Sequence, residues 1–187
     1  MEFKDTILTF SDNKIIESDY SPYEMEIMMD WETPIMEKSA KYICESKGDI
    51  LEIGFGMGIC SDYIQTQGVN SHTIVEIHPQ ILEKLNEWAS DKSNVIIFEG
   101  DWNSVTGLST YDGIFLDTFG DDNWNSFKSF TTNNSKSGAK ITYWNNLPSE
   151  NNEHNFDNIS FEQIPVSVDD NNYTSISDTY YMPKVVL

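Results

Sequence analysis

The chain has 187 residues, of which 31 are acidic and 11 are basic, and its formal net charge is −20. This length predicts a single domain with a sizeable core, and no internal repeat is visible. The charge argues against binding nucleic acid or an anionic membrane through bulk electrostatics. With no apolar run of membrane-spanning length and no signal-peptide pattern, we expect a cytoplasmic monomer or homodimer.

The few basic and sulfur-containing side chains restrict the chemistry further. All basic residues are lysine, so this chain cannot hold a substrate carboxylate with a guanidinium fork. Cys44 and Cys60 match no metal-binding spacing, and we expect them to be buried thiols in a reducing compartment. The sequence therefore predicts no metal site.

The chain divides into three parts within residues 1–187. Residues 1–30 are an acidic segment with scattered aromatic side chains, which we interpret as a lid. Residues 31–147 alternate strand and helix patterns and form the body. Residues 148–187 contain a polar stretch and two strand-like runs, which we expect to close the sheet.

The most informative segment is a glycine-rich turn that follows a short apolar strand. Gly54, Gly56 and Gly58 turn the chain into a helix, because such a turn needs open dihedral space and lets a ligand approach bare backbone. A dinucleotide fingerprint would need its third glycine at Ile59. The acid-x-Gly-x-Gly-x-Gly spacing is typical instead of S-adenosylmethionine (SAM) enzymes of the Rossmann-like class. A glycine turn in some other α/β domain is the alternative.

The elements after this turn alternate as a doubly wound fold requires. A second strand ends in Glu76, about twenty residues beyond the first glycine, where an acid accepts hydrogen bonds from ribose hydroxyls. Pro79 begins a helix with one apolar stripe, a third strand ends before Gly100, and a fourth ends before Asp117. The polar strand ends would meet at one ligand-binding edge of a parallel sheet. An ordinary solvated acid is the alternative for Glu76 and for Asp101, which follows the third strand.

Two strand patterns close the chain. Residues 159–164 alternate like a half-buried strand, and residues 180–187 are a second candidate. Two closing strands after five parallel ones fit a seven-stranded methyltransferase sheet. We therefore predict an α/β fold with a Rossmann-like, mostly parallel sheet, an antiparallel last strand and a shortened C-terminal region.

Four motifs follow one another along the body. They are Met-x-x-Trp-Glu-Thr-Pro-x-Met at 28–36, acid-x-Gly-Phe-Gly-Met at 52–57, Gly-x-Trp at 100–102 and Asp-Thr at 117–118. In this order and with this spacing, residues 25–145 resemble the guanidinoacetate N-methyltransferase family, which is related to a fungal type of protein arginine methyltransferase.

The resemblance implies SAM as the cofactor and S-adenosylhomocysteine as its product. It assigns cofactor contacts to two methionines, the glycine turn, a ribose-side segment, an adenine-side pair and the fourth strand end. These positions are Met28, Met36, Glu52, Gly54, Phe55, Gly56, Met57, Gly58, Ile59, Cys60, Glu76, Ile77, His78, Trp102, Asn103 and Asp117. Core packing is the alternative for Met28, Met36 and Trp102, and a solvent-facing side chain is the alternative for His78, where the family has no histidine.

Two carboxylates, Glu32 and Asp117, are the predicted catalytic and substrate-binding residues. A guanidinium has no free lone pair, so it must be oriented and must lose a proton as it attacks a methyl group. Carboxylates can do both. By resemblance Asp117 is the base and Glu32 clamps the other guanidino nitrogens. The alternative for Glu32 is a carboxylate at the start of the helix that Thr33 and Pro34 begin.

The correspondence thins after Tyr143. The strand end that includes Trp144 and Asn145 still fits, which makes Asn145 the candidate contact to the far end of the substrate. About eleven polar residues then lead to the next strand, too few for a crossover helix with its connections. One edge of the substrate pocket should therefore be open or built differently.

The leading hypothesis is an N-methyltransferase that transfers a methyl group from SAM to a guanidino nitrogen of a small molecule such as guanidinoacetate. An arginine side chain of a peptide or protein is the alternative acceptor. A SAM-binding scaffold without turnover is the alternative from another class. A nicotinamide-dependent dehydrogenase is least favoured, because Ile59 interrupts its fingerprint.

Overall fold

A computed structural model of the protein describes residues 2–17, 25–121, 123–168 and 174–187. The described residues contain one three-stranded sheet and one seven-stranded sheet. The strands are β1 (Leu8–Phe10), β2 (Lys14–Glu17), β3 (Met25–Met29), β4 (Asp49–Ile53), β5 (Ser71–Glu76), β6 (Val95–Glu99), β7 (Tyr111–Leu116), β8 (Ser135–Tyr143), β9 (Ile159–Pro165) and β10 (Thr179–Val186). The helices are α1 (Thr33–Ile43), α2 (Ile59–Thr66), α3 (Pro79–Ala89) and α4 (Phe127–Asn134), with short 3-10 turns at Phe3–Asp5, Asp30–Glu32 and Trp124–Ser126.

The large sheet has the strand order β6-β5-β4-β7-β8-β10-β9. The first five strands in this order pair in parallel. Strand β10 lies between β8 and β9 and is antiparallel to both. The predicted fold is confirmed: a seven-stranded, mostly parallel α/β sheet with an antiparallel last strand.

Helices cover both faces of this sheet because successive strand residues point to opposite sides. Ile50 packs in a cluster with residues of α1 and α2, whereas the next residue, Leu51, packs in a cluster with Phe127 of α4. Both side chains are fully buried. The strands therefore contribute apolar side chains to two core layers, and their carboxyl ends remain available at one edge.

The described residues of the N-terminal segment form a small sheet of their own. Strands β1, β2 and β3 form an antiparallel sheet, although residues 18–24 lie outside the described residues. The β1 residue Leu8 is bound to α3, since its N–H donates to Gln80 Oε1 at 2.8 Å and its carbonyl accepts from Gln80 Nε2 at 3.0 Å. This sheet is therefore attached beside the large sheet, and its function as a lid stays a prediction, as do the three part boundaries.

The connection from β8 to β9 has no helix. Residues 144–158, all of them described, form turns and irregular structure. This agrees with the prediction that the segment is too short for a crossover helix. One flank of the sheet edge beside β8 is therefore built from a loop.

Two further properties concern the described parts of the chain. In these parts, no helix combines the length and apolar character needed to cross a membrane. In the same ranges, no group of three or more His, Cys, Asp or Glu side chains is arranged to hold a metal ion.

The contact between β7 and α1 gives a stability prediction. A Cβ atom added at Gly113 would lie 2.2 Å from the carbonyl oxygen of Ile43, so α1 would have to move away from the sheet. We expect Gly113→Ala to lower the free energy of unfolding by about 1–3 kcal/mol, measured by urea denaturation.

Gly138→Ala is the control, because a Cβ there meets nothing within 4 Å and only the positive φ of 83° is strained. That strain costs about 1 kcal/mol. A Gly113→Ala protein as stable as the wild type would contradict the close packing of α1 on β7.

Candidate active site

A cavity of about 1210 Å³ lies at the carboxyl ends of the parallel strands. Each strand from β4 to β8 contributes to its wall at or just after its last residue. The contributing strand ends include Gly54, Glu76, Asp101, Asp117 and Trp144. This is the edge where doubly wound sheets bind ligands. Ligand pockets are usually about 300–1,000 Å³, so this cavity lies just above that range.

The glycine turn forms one wall because its backbone carries no side chains at two crowded points. Gly54 has φ +90°, and a Cβ there would lie 1.9 Å from the carbonyl oxygen of Asp117. Gly56 has φ +54°, and a Cβ there would lie 2.4 Å from Met28 Sδ. Both conformations are ones that side chains rarely adopt. The turn therefore allows the backbones to remain close just beyond the paired ends of β4 and β7, and it exposes backbone to the cavity.

Glu76 ends β5 and holds the neighbouring loops in place. Its Oε2 accepts the N–H of Phe55 at 2.9 Å, and its Oε1 accepts those of Ile77 and His78 at 2.8 Å each. Burial raises the pKa of this carboxyl, while the three backbone hydrogen bonds lower it. The side chain lines the cavity, but it also links the glycine turn to the start of α3. It is therefore not an ordinary solvated acid.

Glu52 is a second buried acid below the glycine turn. Its Oε2 accepts hydrogen bonds from Ser61 Oγ and from His72 Nε2, the latter at 2.8 Å. The amide Nε2 of Gln65 lies 3.1 Å from His72 Nδ1 and donates to it, which assigns the ring proton to Nε2. Glu52 Oε1 is buried and has no hydrogen-bond partner in the described parts of the chain. One oxygen of this cavity-lining carboxylate is therefore fixed and the other is unused.

Asp117 directly follows β7 and lines the same cavity. Its backbone N–H donates to the carbonyl of Ile53 at 2.9 Å, which fixes it beside the glycine turn. Burial, together with the negative charge of Glu52, raises the pKa of Asp117 to about 7. A pKa near the working pH is what general base catalysis requires, and a cation in the cavity would lower it.

Glu32, the other predicted catalytic residue, lies just behind the cavity wall. It is 2% exposed, and its Oε1 accepts the N–H of Met29 at 2.8 Å. Burial first, and then the negative charge of Asp117, raise the pKa of Glu32 well above its usual range. This hydrogen bond caps the 3-10 turn Asp30–Glu32, whereas the Glu32 side chain makes no capping hydrogen bond to α1. Its predicted role as a guanidino clamp stays a prediction.

Two methionines and one tryptophan pack around the cavity as well as within the core. Met28 and Met36 both line it, and Met28 Sδ accepts the N–H of Met57 at 3.1 Å. Trp102 is 4% exposed, and its Nε1 donates to Asp121 Oδ2 at 2.6 Å. Since these residues belong to the core clusters and to the cavity wall, the packing and cofactor interpretations are compatible.

The end of the cavity beside β8 is aromatic and acidic. Trp124, Trp144, Asn146 and Glu153 line it. Trp124 Nε1 donates to Glu153 Oε2 at 2.8 Å, whereas Glu153 Oε1 is buried without a hydrogen-bond partner among the described residues. Burial raises the pKa of Glu153 against the lowering effect of the Trp124 hydrogen bond.

Asn145, the predicted contact to the far end of the substrate, fastens a loop. It is fully buried, and its Nδ2 donates to the carbonyls of Ser149 and Tyr181 at 2.9 Å each. Its Oδ1 accepts the N–H of Leu147 at 3.1 Å. The side chain amide is thus engaged on all sides, and the next residue, Asn146, reaches the cavity instead.

The predicted site residues divide into two groups. The first group lines the cavity: Met28, Met36, Glu52, Gly54, Phe55, Gly56, Cys60, Glu76, Ile77, Trp102 and Asp117. The second group is described by the structure but does not line it: Glu32, Met57, Gly58, Ile59, His78, Asn103 and Asn145. The cofactor and substrate roles assigned to either group stay predictions.

His78 and Asn103 lie outside the wall for different reasons. His78 is 1% exposed, its Nδ1 accepts the N–H of Gln80 at 3.2 Å, and the Phe3 ring packs on it at 5.0 Å. The solvent-facing alternative for His78 is therefore wrong. Asn103 is exposed, and its Nδ2 donates to Asn123 Oδ1 at 3.2 Å.

Several cavity residues were not among the predicted site residues. Asp101 and Thr118 lie two residues after the ends of β6 and β7, at the polar strand ends that the sequence predicts for the ligand-binding edge, although neither was assigned a role. Asp121, Trp124 and Glu153 come from loops, where no spacing signal exists.

The charge of the cavity wall is strongly negative. Its carboxylates are Glu2, Glu17, Glu52, Glu76, Asp101, Asp117, Asp121 and Glu153. Among the described residues that line the cavity, Lys4 is the one cation, and its Nζ lies 2.8 Å from Glu2 Oε2. Such a wall attracts cationic ligands and repels anionic ones.

Comparison with known proteins gives relatives for both sequence and fold. A family model described as guanidinoacetate N-methyltransferase matches residues 19–160, which extends beyond the four motifs at both ends. Protein arginine N-methyltransferase 2 of Kluyveromyces lactis is 44% identical over 105 residues, covering 50% of this chain and 26% of that protein. The protein of the same name from Aspergillus oryzae is 34% identical over 136 residues, covering 68% and 32%. The chain thus spans roughly a third or less of these curated relatives.

Solved structures share the fold at low sequence identity. The N-methyltransferase NodS from Bradyrhizobium japonicum WM9 has a TM-score of 0.66 at 10% identity, covering 83% of this chain and 96% of that one. Spermidine synthase from Thermotoga maritima has a TM-score of 0.64 at 12% identity, covering 96% and 72%.

Together, the sheet order, the glycine turn at the strand ends and a family model that matches most of the chain agree on one assignment. The chain belongs to the guanidinoacetate N-methyltransferase family, has the class I SAM-dependent methyltransferase fold, and is related to the fungal proteins named protein arginine N-methyltransferase 2.

Proposed function

We propose that this protein is a SAM-dependent N-methyltransferase that methylates a guanidino nitrogen of a small molecule, with guanidinoacetate as the family's reference compound. The observation that carries the proposal is the position of Asp117, which lines an acidic cavity beside the glycine turn and is held there by its N–H bond to the Ile53 carbonyl. Burial, with the charge of Glu52, raises the pKa of this carboxyl to about 7. A base with this pKa can accept a proton at neutral pH, and the surrounding acids favour a cationic acceptor.

The cavity wall suits SAM on three counts. The backbone at Gly56 is bare, Glu76 lies at the end of β5, and Trp102 offers an aromatic wall next to it. The carboxylates of the wall complement a positively charged sulfur. SAM, when bound, supplies a methyl group carried on that sulfur.

Asp117 and Glu32 have different roles toward the guanidinium. Asp117 accepts an N–H hydrogen bond, orients the group and takes the proton that the nitrogen loses as it bonds to the methyl carbon. Glu32 lies behind the wall, where burial and then the charge of Asp117 raise its pKa, so its negative charge develops when a cation enters the cavity. A bound guanidinium stabilises both carboxylates in their ionised form.

An arginine side chain of a peptide or protein is the second candidate acceptor. The curated relatives from Kluyveromyces lactis and Aspergillus oryzae carry the name protein arginine N-methyltransferase 2. The helix-free connection 144–158 beside the cavity would also leave space for a larger acceptor.

The two buried thiols, Cys44 and Cys60, suit a reducing compartment such as the cytoplasm.

Cofactor binding is tested by a pair of glycine variants. Gly56→Ala places a methyl group 2.4 Å from Met28 Sδ, so the Met28 side chain, which lines the cavity, has to move. We expect the affinity for S-adenosylhomocysteine, measured by calorimetry, to fall by about tenfold or more.

Gly68→Ala is the matched control, because Gly68 has a similar positive φ of 69° and nothing within 4 Å of an added Cβ. The two variants share the backbone strain, so only Gly56→Ala should affect binding. If the wild-type protein binds neither SAM nor S-adenosylhomocysteine but does bind NAD, the cofactor proposal fails.

Catalysis is tested at Asp117. Asp117→Asn keeps the shape of the side chain but cannot take a proton, so turnover should fall by about a hundred- to ten-thousand-fold. In the wild type, kcat/KM should rise with pH and level off above an inflection near 7, since the ionised carboxylate is the active form. Steady-state methylation assays from pH 5.5 to 9 would measure both, with about 0.5-unit steps.

Asp91→Asn serves as the control, because the Asp91 side chain is 81% exposed and pairs with Lys92. It should leave the pH profile unchanged. Wild-type turnover in Asp117→Asn would remove Asp117 from the mechanism, and absence of turnover in the wild type with intact SAM binding would favour the scaffold alternative.

The acceptor class is tested with a substrate panel. Guanidinoacetate, other guanidino acids, agmatine, free arginine, an arginine-rich peptide and simple amines would be assayed for methyl transfer. We expect guanidino compounds to be methylated and simple amines not, because a planar cation with several N–H donors matches a carboxylate better than a single ammonium does. Methylation of simple amines alone would show that the acids were misinterpreted, and methylation of the peptide alone would favour the arginine side chain.

A further inference from the structure

Glu153 is a cavity-lining acid with a hydrogen-bond donor at only one of its two carboxyl oxygens among the described residues. Its Oε2 accepts the Trp124 Nε1–H at 2.8 Å, and its Oε1 is buried with no partner among the residues that the structure describes. A buried carboxylate oxygen without a donor is costly in free energy, so a donor from a ligand would stabilise it.

Glu153 lies at the strand end next to that of Asp117. Strands β7 and β8 pair in parallel with Leu116 opposite Tyr143, and the Trp144 N–H donates to the Leu116 carbonyl at 2.9 Å. The Trp124 ring that binds Glu153 packs edge-on against Tyr143 at 6.4 Å. Asp117, which follows β7, and Glu153, which the loop after β8 returns to the Trp124 ring beside the end of β8, therefore line the same cavity next to neighbouring strand ends.

The surroundings of Glu153 suit a cation and exclude a carboxylate. The rings of Trp124 and Trp144 line this end of the cavity, and aromatic faces attract ammonium groups. Among the described lining residues the one cation, Lys4, is paired with Glu2. A substrate carboxylate at this end would meet Glu153 with no positive partner, which is strongly unfavourable.

We propose that Glu153 is a specificity-determining residue that selects guanidino substrates carrying a second cationic group, the amino-guanidines, over guanidino acids. The inference rests on the proposed function, since it places the guanidinium of the substrate at Asp117 and its second charge at Glu153. It differs from the family's reference compound, whose far end is a carboxylate.

Three guanidines that differ at the far end test this inference. Agmatine ends in an ammonium, 1-butylguanidine ends in a methyl group, and guanidinoacetate ends in a carboxylate. Their dissociation constants would be measured by calorimetry in the presence of S-adenosylhomocysteine, and their kcat/KM values would be measured with SAM. For the wild type we expect the kcat/KM of agmatine to be about tenfold or more above that of either other compound, mainly because its KM is lower. Its dissociation constant should be lower by a similar factor.

Glu153→Gln removes the charge while the amide oxygen can still accept the Trp124 hydrogen bond. In this variant, the dissociation constants and the kcat/KM values of agmatine and 1-butylguanidine should lie within about twofold of each other. The values for 1-butylguanidine should stay near those of the wild type. Glu150→Gln is the matched control, since Glu150 lies three residues away and is exposed. It should change none of the ratios.

The wild-type comparison needs no variant, so a Glu153→Gln protein that fails to fold does not remove the test. Equal affinity for agmatine and 1-butylguanidine in the wild type, a preference for guanidinoacetate, or an unchanged ratio in a folded Glu153→Gln protein would each overturn the inference. Failure of the proposed function is distinct, because agmatine would then bind selectively without being methylated. Binding of none of the three compounds would overturn the inference.

Discussion

The close approach of the Gly54 backbone to the Asp117 carbonyl is the constraint on which the cavity depends. No side chain fits there, since a Cβ at Gly54 would lie 1.9 Å from that oxygen. β4 and β7 already pair in parallel up to Ile53 and Leu116, and the missing side chain at Gly54 allows the backbones to stay close just beyond these ends. The glycine turn and the predicted base are therefore neighbours. The hydrogen bond from the Asp117 N–H to the Ile53 carbonyl at 2.9 Å holds the same junction. The missing side chain at Gly54 thus allows the glycine turn to lie directly beside Asp117.

Burial of carboxyl groups around this junction gives the cavity its chemical character. Desolvation disfavours the charged forms of Asp117, Glu32 and Glu76 and raises the pKa of each. Neighbouring acids add to the effect at Asp117 and Glu32. A cation entering the cavity removes part of this penalty, so part of the free energy that the fold loses by burying acids is regained on binding. Glu52 is also buried, and the hydrogen bonds from His72 and Ser61 to one of its oxygens offset part of the cost of that burial.

The loop after β8 distinguishes this chain from a methyltransferase sheet with a full set of crossover helices. Asn145 fastens the loop to β10 and to Ser149, and the loop then brings Glu153 to Trp124. A helix in this position would cover the sheet edge with its own side chains. The shortened connection instead leaves aromatic rings and a carboxylate at that end, which changes the charge that a substrate meets there.

The sequence alone determined the features that depend on local pattern. The succession of strand and helix patterns predicted the parallel body, and the alternation of apolar and polar residues predicted the two closing strands. The glycine spacing predicted the turn, and the polar residue after the fourth strand pointed to Asp117. Each of these features depends on a few adjacent residues. The described structure decided what depends on contacts between distant segments. Glu32 lies behind the wall, Asn145 binds backbone, Glu153 joins the cavity, and the N-terminal residues pair into β1–β3. No sequence period encodes such contacts, since they arise only when separate elements pack together.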